Sequence, residues 1–512
     1  MMVSRIQSTF STAAAGGRWA LAAALLLFLA LALFGHRYHW VEEAGTAERD
    51  GYVAQAEQIL RGELPRDPFR PLLYPILTAG LALLVGDPFL AARLISNLAA
   101  AALAWQCWAC GRRLGGPGGT PAGAWAMALA AANPNLWILG QHVSTDMLFA
   151  ALAAAALLAG LRYLEEPGAR AALAGGAALG LAAFTRSNAL FLLPPLLAAW
   201  WLAPGERKRR LGHLAGAAAV AVLMLIPHWA LRQAVFGDPF HDENWKNLAW
   251  KLHGYPDWSY LDRVPYSGAL EIVKEDPMAV VRGGLSELAR FLTGGAAQLF
   301  GTWAHVLLIA AGAAVALRKR SRPAAWLLFA GGAFLLAIAF AFFTWGRLLL
   351  LLLPLGYGLA FAPWKERTRD LLALGLVLLL AVKTFGFRLP AFVARHPYEE
   401  VAVLRRLDAS LPPGPVLAGS SPFLGRYLRR EYVDLPDAFG PEIRDPRLYF
   451  ARIEPLVRRS GVAYLVVGET DLRDRPPSLL DGTARVPWLR LASKENGVTV
   501  WKVRPPQGTS PD

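Results

Sequence analysis

Only 18% of the 512 residues are charged, although Lys and Arg outnumber Asp and Glu by 52 to 38 and leave a formal net charge of +14. A soluble basic protein that binds nucleic acid carries more charge than this, so that class is excluded. Two cysteines are too few for a disulfide framework. No Gly-X-Y period is present and Leu and Ala dominate, which removes the collagen-like and disordered classes. There is no internal repeat. What is abundant is apolar surface, 55% of the chain. Strong apolarity and net positive charge coexist when the charge sits at the edges of membrane spans, and the expected fold class is a polytopic α-helical membrane protein. Cys107 and Cys110 form a C-x-x-C inside an apolar run, where two small core residues of a buried helix are the expectation ahead of a redox or metal pair.

A crossing helix needs ~20 apolar residues. The first such run, Trp19 to Phe34, follows Arg5 and Arg18 and is succeeded by His36-Arg37-Tyr38-His39-Trp40, which offers no small-residue cleavage site. It reads as an anchor with a cytoplasmic N-terminus. Further runs at 91–111, 120–140, 145–164, 171–185, 189–203, 211–230, 300–317, 323–343, 348–362 and 370–386 predict eleven spans in all. Alternate connections then hold Arg112 and Arg113; Arg162 and Arg170; Arg207 to Arg210; Arg318, Lys319, Arg320 and Arg322; and Lys365, Arg367 and Arg369. Those fifteen basic residues face two, Arg186 and Arg347, in the short turns on the other side. The bias predicts which side is cytoplasmic. The run Pro71 to Gly86 would reach only ~24 Å as a helix, short of a ~30 Å hydrocarbon core. Counting it as a crossing would also put the basic clusters outside, so it reads as an interfacial or re-entrant helix, with a short tilted span as the alternative.

Three segments are then expected on the outer side: about 36–90, about 231–298, and the tail from about Arg388 to Asp512. The second holds Trp245, Trp250, Tyr255, Trp258 and Tyr260, a density that suits either an interface belt or stacking on a sugar ring. In the tail, β-rich runs (Pro415–Ala418, Val462–Val467, Val498–Val503) alternate with helix-like stretches (Tyr398–Ser410, Pro422–Arg430, Ala451–Ser460), which predicts a small α/β domain at 388–512 beside a membrane domain at 1–387.

Ionisable residues near hydrocarbon are costly and often functional. On the expected outer face they include Glu48 and Asp50, Arg70 with Tyr74, Asp146 at the start of the fourth span, Arg186 and Arg347. Carboxylates with several arginines suit displacement at a carbon that bears a phosphate leaving group. Arginine presents a planar fork to phosphate, and a carboxylate can take the proton of an attacking hydroxyl. Each residue also has a plain reading: an arginine at a span end snorkels, and an aspartate before a span caps a helix.

Taken together, Asp50-Gly-Tyr52 with Ala56 and Gly62, Arg70-Pro-Leu-Leu-Tyr-Pro75 with Gly86-Asp87, Ala92-Arg93-Leu94 and Ser96, Thr145-Asp146, Gly180 to Arg186, and Trp345-Gly-Arg347 through Pro354 resemble the GT-C glycosyltransferases over about residues 15–390. This group includes bacterial aminoarabinose transferases and protein O-mannosyltransferases. The resemblance implies a membrane glycosyltransferase of the bacterial cytoplasmic membrane, with its catalytic face and C-terminal domain extracytoplasmic. It implies a sugar donor on a polyprenyl phosphate and a lipid, glycan or protein acceptor, with no nucleic-acid partner. It also implies Asp50 as catalytic base, with Glu48 a second candidate, Arg70 on the lipid phosphate, Asp146 lining the cavity, and Arg186 and Arg347 at recurrent basic positions. Some members place a metal-binding Glu just before the first basic residue. Phe69 stands there, so a divalent metal would need His241, Asp242 or Glu243 instead. The alternative is a flippase or transporter of lipid-linked sugars, which commonly shows inverted repeats that this sequence lacks.

Overall fold

The computed structural model describes residues 2–37, 51–66, 70–116, 119–253, 266–361, 364, 366–394, 399–411, 416–419, 428, 431–435, 445–468, 478–479, 482–495 and 498–504. The chain divides into two compact units, one helical (Met1–Arg37, Gly51–Leu252 and Gly268–Phe392) and one built mainly on the segment from Val393 onward.

The helical unit opens with α1 (Met2–Arg37), α2 (Tyr52–Leu60), α3 (Leu73–Val85), α4 (Pro88–Leu114), α5 (Thr120–Ala132), α6 (Pro134–Gly140), α7 (Thr145–Glu165) and α8 (Ala169–Thr185). After a 3-10 turn over Ser187–Leu192 come α9 (Leu193–Leu202) and α10 (Arg207–Phe236). Three short helices, α11 (Lys246–His253), α12 (Ala269–Glu275) and α13 (Pro277–Arg290), lead to α14 (Ala296–Phe300), α15 (Trp303–Arg318), α16 (Arg322–Ala341), α17 (Leu352–Phe361) and α18 (Glu366–Ala381). By length and composition six described helices can cross a membrane, or seven if the pair Pro277–Phe300 and Trp303–Arg318, bent by 99°, counts as one. The other expected spans fall on shorter or interrupted helices. The run 120–140 breaks at Asn133-Pro134, because proline supplies no N–H and holds the preceding residue extended (Asn133 ψ 125°). Asn133 turns the break into a cap, accepting from the Asn135 amide at 2.8 Å. The run 189–203 likewise starts as the 3-10 turn, with Pro194 and Pro195 opening α9. The stretch 71–86 contains the thirteen-residue α3.

Lipid supplies little hydrophobic force between helices, so close packing decides their contacts. Gly176 and Gly180, a small-x-x-x-small pair on α8, lie so near α10 that a Cβ at either would collide with the carbonyls of Ala217 and Ala221. Gly358 of α17 meets the Cys110 side chain in the same way. Both cysteines are buried and unbridged within the main core cluster, the packing role expected for them.

The second unit holds a five-stranded mixed sheet in the order β2-β1-β3-β5-β4, with strands β1 (Val416–Gly419), β2 (Tyr432–Asp434), β3 (Val462–Gly468), β4 (Leu489–Glu495) and β5 (Val498–Val503). β1 pairs parallel with β2 and β3, whereas β3 and β4 pair antiparallel with β5. Helix Glu399–Ser410 falls where the sequence predicts it, whereas the helix expected at Ala451–Ser460 begins five residues earlier, at Pro446 after the Asp445 cap, and buries Tyr449, Phe450, Ile453 and Val457 in the core. The expected helix at 422–430 lies almost wholly outside the described residues.

Candidate active site

The site forms where the N-terminus of α7 meets the end of α8. Ser144 caps α7 and Asp146 lies in its first turn, a favourable place for a negative charge beside the helix dipole. Asp146 is 2% exposed. Such a buried carboxylate must find partners, and it has three. The Ser144 hydroxyl donates at 3.2 Å, Arg186 donates through Nη1, and Arg347 Nη1 lies 3.9 Å from the second carboxylate oxygen. Arg186 reaches across because α8 ends at Thr185, leaving Arg186 extended (φ −156°, ψ 136°). Its Nη1 also donates to the Thr145 hydroxyl at 3.2 Å.

From Thr145 the contacts continue outward. Its hydroxyl shares a 3.1 Å hydrogen bond with the Tyr52 hydroxyl. Tyr52 opens α2 directly after Gly51, whose φ of 70° suits glycine. The Arg70 guanidinium carbon lies 5.9 Å from the centre of the Tyr52 ring. Tyr74, expected among the substrate-contacting residues, is fully buried. Its hydroxyl donates to the Ala92 carbonyl at 2.7 Å and lies 3.0 Å from Ser96 Oγ, so it fastens α3 to α4 and meets the site through an edge-to-face contact with Tyr52 at 5.4 Å. Arg70, Asp146, Arg186 and Arg347 are thus brought into one chain of contacts. Glu48 and Asp50 lie outside the described residues.

Sequence reasoning passed over the residues that hold these arginines. Arg232 of α10 donates to the Arg70 carbonyl at 3.3 Å. Arg347 stands on a turn whose aromatic side chains pack together: Trp345 stacks on Phe343 at 4.8 Å, Trp250 of α11 packs against both, and the Arg347 guanidinium lies 5.1 Å from the Trp345 ring. Glu287 of α13 is buried and pins that turn, accepting from the Thr344 amide at 2.7 Å and from the Thr344 hydroxyl at 2.9 Å while paired with Arg290 at 2.8 Å. Lys251 donates to the Ala339 carbonyl at the end of α16, and burial lowers its ammonium to about 8.

Residues 69–230, the stretch holding most of these groups, match the family model described as dolichyl-phosphate-mannose-protein mannosyltransferase. No curated protein matches in sequence. The fold, however, is shared along nearly the whole chain. ArnT from Cupriavidus metallidurans bound to undecaprenyl phosphate is 17% identical with a TM-score of 0.55, over 93% of this chain and 97% of that one. The Archaeoglobus fulgidus oligosaccharyltransferase in its apo form is 12% identical with a TM-score of 0.56, over 88% and 69%. The archaeal oligosaccharyltransferase AglB from Archaeoglobus fulgidus, in complex with an inhibitory peptide and a dolichol-phosphate, is 13% identical with a TM-score of 0.50, over 87% and 69%. The chain has the GT-C glycosyltransferase fold.

Among the described residues no three His, Cys, Asp or Glu side chains lie together. Of the residues weighed as substitutes, Asp242 accepts from Asn244 at 2.7 Å and Glu243 accepts from Lys246 at 2.7 Å. Burial raises the Asp242 carboxyl, against hydrogen bonds from Asn244 and Ser187 and the Arg232 charge. That group ties the 238–244 loop to the turn after Arg186.

Proposed function

We propose that the chain is an inverting glycosyltransferase that takes a sugar from a polyprenyl-phosphate carrier on the outer face of the bacterial cytoplasmic membrane. One observation carries this reading: among the described residues a single buried carboxylate, Asp146, gathers Arg186 and Arg347, which leaves those groups with a positive surplus at the end of the bundle where the charge bias expects few cations. Guanidinium groups held this way favour the charge that grows on a departing phosphate. The lipid phosphates named with two solved proteins of this fold agree with such a donor.

Asp146 is committed to its arginines and is badly placed to accept a substrate proton. The base is Asp50, two residues before Tyr52 in the sequence. Its carboxylate takes the acceptor hydroxyl proton as the oxygen bonds to the anomeric carbon, the carbon–oxygen bond to phosphate breaks, and the electron pair leaves with the phosphate, held by Arg70, Arg186 and Arg347. The acceptor is a hydroxyl of a lipid-linked glycan, lipid A or a protein. The test is Asp50→Asn in membranes supplied with polyprenyl-phosphate sugar. Transfer should fall at least a hundredfold with donor binding kept, and transfer near the wild-type rate would remove Asp50 as the base. Purified protein in detergent, with no second compartment, should still consume donor, which a transporter would not do.

A further inference from the structure

The end of α7 and α8 away from Asp146 carries a second feature. Asp146 and Arg162 are sixteen residues apart on α7, or ~24 Å along the helix, so this end is independent of the glycosyl-transfer reading. A cavity of about 590 Å³ opens there between α4, α7 and α8. Along α4 its wall runs Trp105, Trp108, Ala109, Arg112, and along α7 it runs Ala155, Leu158, Ala159, Arg162. Both are single helical faces that pass from apolar to basic toward the chain end. At the mouth, Arg113 is paired with the acid that lines it, Glu165, at 2.6 Å. Arg112 lies 5.2 Å from the Trp108 ring and Arg162 is exposed. Among the described residues neither has an acidic partner, and two positive charges stand uncompensated over the groove. Deeper in the wall, Gln106 is 5% exposed. Its amide donates to the Ala151 carbonyl at 2.8 Å, and its oxygen has no hydrogen-bond partner. A buried acceptor left without a donor is costly.

We propose that this groove binds an anionic glycerophospholipid with hydroxyl-bearing groups, such as phosphatidylglycerol, from the leaflet on the side that the charge bias marks as cytoplasmic. The phosphate sits on Arg112 and Arg162, and an acyl chain follows the indoles and alanines for the ~10 Å between Arg112 and Trp105. Basic pockets between spanning helices on the cytoplasmic side suit lipid headgroups of this charge. The apolar walls select a lipid over free phosphate, and the charge surplus selects an anionic lipid over a zwitterionic one.

Native mass spectrometry of the full chain in mild detergent tests this. With equal amounts of phosphatidylglycerol and phosphatidylethanolamine, one phosphatidylglycerol should be retained at least tenfold over the other, and inorganic phosphate should not compete. Arg112→Ala combined with Arg162→Ala should lower retention at least tenfold; Arg162→Ala alone, at an exposed position, should lower it severalfold and keeps the test usable if the double variant does not purify. Equal retention of both lipids, undiminished retention by the variants, or displacement of phosphatidylglycerol by an equal amount of polyprenyl phosphate would each overturn the assignment.

Discussion

The two ends of α7 use the same chemical groups in opposite ways. At the N-terminal end a carboxylate 2% exposed draws in Arg186, itself 22% exposed, and holds Arg347 nearby. At the C-terminal end Glu165 and Arg113 pair while 26% and 28% exposed, and Arg162 faces outward. An ion pair that keeps its water contributes little, whereas a buried charge is costly the moment its partner is removed. The first end has therefore desolvated its carboxylate and uses it to fix Arg186 in place, as a site for a developing charge requires. The second end keeps its arginines solvated, which suits topology and the recognition of a lipid headgroup.

The largest expected effect breaks the first end. Asp146→Ala leaves Arg186 partly buried without its anion, at a cost of about 3 kcal/mol. Thermal unfolding in detergent should show the loss, and an unchanged midpoint would mean that water already compensates Arg186. Arg347→Ala should act on transfer more than on folding, because this side chain is 42% exposed and meets Asp146 only at 3.9 Å. A fall of about a hundredfold in kcat/KM for the lipid donor, about 3 kcal/mol of transition-state binding, is expected with little change in thermal stability. Equal losses in both measurements would make Arg347 a structural residue like Asp146.

A smaller effect sharpens the account of the turn that carries Arg347. Because burial lowers Lys251 to about 8, the fold disfavours its charged form. The unfolded chain then binds more protons between about 8 and the ordinary lysine range, so the cost of burying the Lys251 charge is full below about 8 and is relieved as the pH rises into that range. Wild type should gain thermal stability relative to Lys251→Met between pH 8 and 10, and parallel curves would show that Lys251 titrates normally.

Which residues were legible from the sequence follows from the same contrast. Arg186 and Arg347 stand out because they violate a charge bias that fifteen other basic residues obey, and Asp146 because it follows Ser144 and Thr145 at the start of an apolar run. Those signals are local. Glu287 and Thr344 are fifty-seven positions apart, and Tyr52 and Thr145 are ninety-three apart. Neither pairing has a periodicity or spacing of its own, so only the fold brings them together. Hydropathy located the apolar runs correctly but not their continuity. At Asn133-Pro134 the average stays apolar while the backbone cannot stay helical. Strands β1, β3 and β5 were readable because short β-branched runs stand between polar segments, whereas β4, Leu489–Glu495, carries Arg490, Lys494 and Glu495 and gives no such pattern.

The smallest expected effect belongs to the second end. Arg113 and Glu165 pair at 2.6 Å, closer than the 3.9 Å between Arg347 and Asp146. Distance alone would rank it the stronger. Solvation keeps its contribution small all the same, since both partners keep about a quarter of their surface in water and the Coulomb gain is screened there. A double-mutant cycle with Arg113→Ala and Glu165→Ala should return a coupling of about 0.5 kcal/mol that shrinks further at high salt. A coupling as large as that of Arg186 with Asp146, measured in the same way, would mean that the groove beside it excludes water. A lipid seated on Arg112 and Arg162 would do that, so the cycle should be run with and without phosphatidylglycerol. Coupling that rises only when the lipid is present separates a mouth that is always dry from one that its ligand closes.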